Sequence, residues 1–222
     1  MAWLFNHYLN NTFIYEHSRS GTALVRPRRT TPQRRRARMA SAPMKFPSIE
    51  PDDVVIPDGK SLGDWIESRV ARYATRTLDW DALKFQADHD PIYRRAQMRY
   101  IGTGATGVTD DENVVPAEHF TFSTMVLPAG CEGPLHIHRD AEEVFFILKG
   151  HKIRLFIEHK GELVETVLTE RDLISVPPGV YRGLRNEGIE EALMCVMIGN
   201  PKPVTPTYPP DHPVAKIKRP GK

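Results

Sequence analysis

Several residue classes are scarce in this chain of 222 residues, and each scarcity excludes something. Cysteine occurs twice, as Cys131 and Cys195. Two thiols cannot staple a small disulfide scaffold, and no C-x-x-C pair is present to build a zinc knuckle. No stretch approaches the ~18–20 consecutive apolar residues that span a bilayer as a helix. No compact apolar segment follows a basic start, so a secretory signal is not expected. Acidic residues are nearly missing from residues 1–38, which hold eight arginines, no lysine and one acid, Glu16. The rest of the chain carries 22 basic and 27 acidic side chains. The net charge of +2 therefore hides a basic tail on a mildly acidic body, and charge gives no support for nucleic-acid binding by that body.

What is present divides the chain into four parts. Residues 1–43 run through Arg, Thr and Pro with little to bury and are expected to be disordered. They fit an organelle leader, a basic arm, or a stretch ahead of a true start at Met39 or Met44. Residues 44–118 form an extension. Within it Ser61 is placed to cap a helix from Leu62 to about Thr75, with Leu62, Trp65, Ile66, Val70, Tyr73 and Ala74 forming one buried stripe. Asp79 to Phe85 suggests a second short helical piece, and Pro91 a helix start or turn. The Gly-rich Gly102–Thr109 lacks the lysine of a phosphate loop and predicts a mobile loop.

From His119 to Gly199 the pattern changes to short alternating runs. They are Phe120–Leu127, Leu135–His138, Val144–Leu148, Ile153–Glu158, Leu163–Leu168, Leu173–Val176, Tyr181–Arg185 and Ala192–Ile198, with turn residues between them. Eight short strands at this spacing predict an all-β barrel or jelly roll over 119–199. Residues 200–222 contain seven prolines and predict an extended arm packed on the barrel or on a partner subunit.

One segment carries chemistry. Residues two apart on a strand face the same side, so His136 and His138 point together. Two imidazoles and a nearby carboxylate form a ligand set for a first-row metal, with positions left open for oxygen or substrate. Glu143 is the expected carboxylate; Glu142 alternates to the other face. Gly130, His136, His138, Glu143 and Gly150 have the spacing of Gly, five residues, His-x-His, four residues, Glu, six residues, Gly. This resembles the first motif of the cupin superfamily. Pro177, Gly179 and Asn186 resemble the second, with Arg171 in place of its leading glycine and Arg182 where a fourth metal-binding histidine would stand. The resemblance implies a cupin jelly-roll barrel with a metal held by His136, His138 and Glu143.

Arg182 bears most directly on function. A guanidinium about 5 Å from a divalent ion costs roughly 6–7 kcal/mol at an effective dielectric near 20. Either no metal binds, or Arg182 swings away or pairs with an acid such as Glu142 or Glu143, or it waits as a catalytic anchor for an anionic substrate. His119 and His151 flank strands as replacement ligands. Tyr181 and Phe145 either line the pocket or pack outside it, Cys131 is a small side chain near the motif, and Cys195 is expected in the core.

The resulting expectation is a metal-dependent cupin oxidoreductase, a non-haem iron dioxygenase acting on a small anionic organic molecule. Fe(II) is the expected metal, with Mn, Ni or Zn as alternatives. The competing readings are a metal-free binding or isomerase cupin, and a protein whose extensions serve mainly to build an oligomer. A further reading, RNA binding, rests on the Arg-rich tail alone. A cytoplasmic homodimer without membrane or nucleic-acid partners is expected.

Overall fold

The computed structural model describes residues 55–217. These lie in one unit of the chain, Pro51–Lys222. The expectations for residues 1–43 fall outside the described residues.

Among the described residues, nine antiparallel strands form two sheets. They are β1 (Ala96–Ile101), β2 (Thr121–Leu127), β3 (Glu132–Ile137), β4 (Glu143–Lys149), β5 (Ile153–His159), β6 (Glu162–Leu168), β7 (Leu173–Val176), β8 (Tyr181–Asn186) and β9 (Ala192–Ile198). One sheet runs in the order β1-β2-β9-β4-β7, the other β3-β8-β5-β6. Non-consecutive neighbours in both sheets give the crossed connectivity of a jelly roll. The inner faces meet in a core of Leu127, Phe145, Ile147, Ile153, Leu155, Leu184 and Met194, all buried. Each such side chain contributes about 1.5–3 kcal/mol of burial. The alternation that places them inside leaves Cys195 half-buried between buried Met194 and Val196, not in the core as expected.

Turn chemistry sets the hairpins. β5 and β6 are joined by Lys160 and Gly161, both at positive φ, the conformation that matches strand twist in a two-residue loop. Asn186, at the end of β8, is buried and ties three strand ends together. Its Nδ2 donates to the carbonyls of Leu127 and Glu190 at 2.9 and 2.7 Å, and its Oδ1 accepts from the Gly188 amide.

The segment before the barrel differs from expectation. Ser61 does cap a helix, in a reciprocal box with Asp64, but α1 covers only Leu62–Glu67. Ser68 ends it: its amide caps the last turn and its hydroxyl donates to the Trp65 carbonyl. The predicted stripe is not buried among the described residues, with Leu62 at 60% and Tyr73 at 74% exposure. The second helix, α2, is Lys84–Ala87, and Pro91 opens a single 3-10 turn capped by Asp90. The run that follows is β1, a strand of the first sheet that pattern reading missed. The proline-rich arm packs on the barrel: Thr207 and Ile137 exchange both backbone hydrogen bonds.

Candidate metal centre

β3 delivers His136 and, one residue past its end, His138; β4 begins with Glu143. One ligand atom from each lies within 4.8 Å of the other two. The imidazoles stand nearly perpendicular, with ring centroids 5.3 Å apart. His136 Nε2 lies 3.3 Å from Glu143 Oε2, and His138 Nε2 lies 3.7 Å from Oε1. The other nitrogen of His136, Nδ1, sits 2.8 Å from the Pro134 carbonyl. With the proton on Nδ1, that carbonyl accepts it, and Nε2 keeps its lone pair for a metal.

The electrostatics of His136 and Glu143 favour their ligating forms. Burial pushes the His136 imidazolium down, against the opposing pull of Glu143, so the ring is neutral at lower pH than an ordinary histidine. Burial pushes the Glu143 carboxyl up, but the two imidazoles outweigh it and hold the carboxyl well below its usual range. Neutral imidazoles and an ionised carboxylate are what metal binding requires.

Arg182 faces His136 across the β3–β8 pair. It is fully buried, and its Nε lies 3.2 Å from Glu143 Oε2. Nη1 donates to the Val180 carbonyl. Of the sequence alternatives, this geometry is the ion pair with Glu143. Arg182 is not among the residues lining the cavity beside the site. Glu142 is exposed and accepts a hydrogen bond from the Ser175 hydroxyl, away from the cluster. Neither His119 nor His151 joins the ligand group, and Phe145 lines the cavity where Tyr181 does not.

That cavity lies between the two sheets and measures about 70 Å³. At roughly 10–15 Å³ per water it has room for a few waters or an organic acid of a few carbons. His136, His138 and Glu143 form part of its wall, against apolar Met125, Phe145 and Val196. Seven buried side-chain atoms among the described residues lack a hydrogen-bond partner. Four are at the cluster (His138 Nδ1, Glu143 Oε2, Arg182 Nε and Nη2), and two more, Gln86 Oε1 and Thr106 Oγ1, belong to cavity-lining residues. Orphaned polar groups are costly, and their gathering here marks a place built for a polar occupant. A divalent ion fits the donor set, since borderline metals take two imidazoles and a carboxylate.

Sequence reasoning missed Arg95. It lies just before β1, is 7% exposed, and lines the same cavity. Its signal was present in the alternation of Arg95 and Gln97, both cavity-lining, but legible only once β1 is known to be a strand.

Fold and site together define a two-sheet β-barrel with a candidate His-His-Glu metal cluster at one inner wall. Residues 123–199 match the family described as Cupin domain, and that stretch of the chain carries the cupin fold. No curated protein matches the sequence. Among solved structures, a recombinant oxalate oxidase in complex with glycolate is similar at 22% identity over 40% of this chain and 46% of that one, with a TM-score of 0.38. The Lactobacillus farciminis oxalate decarboxylase formate complex is similar at 17% identity, covering 50% of this chain and 30% of that one, TM-score 0.41. The Schizosaccharomyces pombe Cnp3 cupin domain is similar at 19% identity, covering 48% and 61%, TM-score 0.36. This chain spans less than two thirds of each of them.

Proposed function

We propose that this chain is a metal-dependent cupin oxidoreductase of the non-haem iron dioxygenase type, acting on a small organic anion. The observation that carries the reading is the convergence of His136, His138 and Glu143 within 4.8 Å on the wall of a cavity between the sheets. A divalent ion held there supplies Lewis acidity and open positions for reactants. The chain's own residues do the rest. Pro134 fixes the His136 ring, Arg182 sets a buried positive charge 3.2 Å from Glu143, and the apolar wall limits water in the cavity.

Metal analysis by inductively coupled plasma mass spectrometry on tag-free protein, beside His136→Ala, tests this. Near one equivalent of iron, lost in the variant, followed by oxygen consumption with small carboxylic acids, is the expected result. Manganese, nickel or zinc in its place would keep the metal enzyme and discard the iron assignment. No metal after anaerobic iron loading would refute both.

A second reading has its own observation. Arg182 already occupies Glu143 Oε2, which favours a metal-free cupin that binds or isomerises its ligand. Such a protein would gain no thermal stability from added metal. The homodimer and the cytoplasmic location belong to the same proposal. Exposed Leu163, Val164 and Val167 on strand β6 support a second copy, and light scattering at the monomer mass would refute it. No helix among the described residues is long and apolar enough to cross a membrane.

A further inference from the structure

The cavity holds a charge that the cupin match leaves unused. Arg95 lies outside the matched residues 123–199, on the segment that joins a 3-10 turn to β1. It is 7% exposed, yet forms no ion pair with a carboxylate among the described residues. Its recorded hydrogen bond is from Nη1 to the Tyr93 carbonyl at 2.9 Å. A guanidinium has five N–H donors, so one such bond leaves most of its capacity for something else. Its Nε lies over β3 at Gly133, three residues before His136, where an added Cβ would stand 3.7 Å away. Burial pulls the group down only to about 10, so it stays charged at neutral pH.

The charge balance calls for an anion. Glu143 is the carboxylate of the cavity wall, and it is already shared by Arg182 and the two imidazoles. Tyr208, Glu143 and Glu132 act on Arg95 through space without an ion pair, and Glu132 faces Arg185 across the β3–β8 pair. A divalent ion would add to the positive excess rather than relieve it. Buried cations are kept only where something pairs them. Two further unsatisfied polar atoms, Gln86 Oε1 and Thr106 Oγ1, belong to the same wall and offer partners to the rest of a polar ligand.

We propose that Arg95 is the anion anchor of this cavity, binding the carboxylate of an organic acid of two to four carbons whose other end reaches the His136–His138–Glu143 cluster. Gln86 and Thr106 hydrogen-bond its remaining polar atoms. The proposal rests on the cavity being the substrate site of the preceding reading, but not on the metal. Chain segments outside the cupin match thus select the substrate, and the barrel supplies the reacting centre.

The test uses the full chain, chelator-treated and zinc-loaded, titrated with acetate, glycolate and pyruvate and with uncharged acetamide by saturation-transfer NMR. Carboxylates are expected to bind and acetamide to bind at least tenfold more weakly. Arg95→Gln is expected to weaken carboxylate binding by roughly ten- to a hundredfold, the loss of one charge-assisted contact. Arg95→Lys should recover part of it, and zinc uptake should be unchanged in both variants. Equal carboxylate affinity in Arg95→Gln, no discrimination against acetamide, or no carboxylate binding overturns the anchor. If Arg95→Gln does not fold, Arg95→Lys and the acetate–acetamide comparison in the unaltered protein decide. Failure of the metal reading looks different: no zinc or iron uptake, with Arg95-dependent carboxylate binding intact.

Discussion

Replacing Glu143 with Gln should destabilise the barrel more than deletion of a charge at its surface would. Arg182 is 0% exposed and Glu143 4%, and the two meet at 3.2 Å. Removing one partner of a buried pair strands the other charge, at a cost of about 3–5 kcal/mol. Arg182 has little to fall back on, because Nε and Nη2 have no hydrogen bond and only Nη1 reaches a carbonyl. At about 2–4 °C per kcal/mol for a domain of this size, the midpoint of thermal unfolding should fall by roughly 6–20 °C. The assay is urea and thermal unfolding in EDTA at pH 7, so that metal loss does not contribute. The second arm is Glu143→Gln with Arg182→Met, which removes the stranded charge and fills much of its volume. That double variant should regain most of the lost stability. A loss below about 1 kcal/mol in Glu143→Gln, or a double variant no more stable than the single, would refute the ion-pair account of Arg182.

Three further outcomes follow from the geometry. A Cβ at Gly183 would stand 3.0 Å from the Gly133 carbonyl and 3.2 Å from the Leu135 amide, both backbone. Gly183→Ala should therefore push β3 from β8, cost about 1–3 kcal/mol in urea unfolding, and weaken metal uptake at the adjacent His136. Asn186→Ala should lose about 1–3 kcal/mol, since two carbonyls and one amide lose their side-chain partner; unfolding without a change in metal content is the check. The folded His136 titrates below its unfolded value near 6.5, so the unfolded chain binds more protons as pH falls. Stability of the chelated protein should thus decline from pH 6.5 down toward the folded value, by at most about 1.4 kcal/mol per pH unit from this group. His136→Gln should flatten that decline; an unchanged slope would remove His136 as its source.

The barrel was legible because its signals are local. Ile153 and Leu155 alternate with more exposed neighbours, Lys160-Gly161 is a turn whatever surrounds it, and the His-x-His spacing fixes which side chains share a face. The failures came where a residue's partner is far along the chain. The stripe Leu62, Ile66, Tyr73 has helical spacing, yet nothing among the described residues covers it, and Ser68 stops the helix after Glu67. β1 was invisible because a lone strand carries its meaning in its pairing, here Ala96 opposite Val126 and Met98 opposite Thr124.

The two arginines differ in how much their sequence surroundings reveal. Arg182 sits inside a recognisable motif, so its spacing raised both an ion pair with Glu143 and an anchor for substrate; its register opposite His136 and its contact with Glu143 are those of the ion pair. Arg95 sits in no motif and drew no reading from the sequence, yet it is buried just before β1. A motif reports which residues are near one another in sequence, whereas the demand for a counter-charge is set by what is near in space. Arg182 has its counter-charge in Glu143, so neutralising both together should be tolerated. Arg95 feels Glu143 and Glu132 through space but forms no ion pair with a described carboxylate, so the direct partner assigned to it is what enters the cavity, and the same neutralisation there should leave the fold standing and the cavity unable to hold an acid.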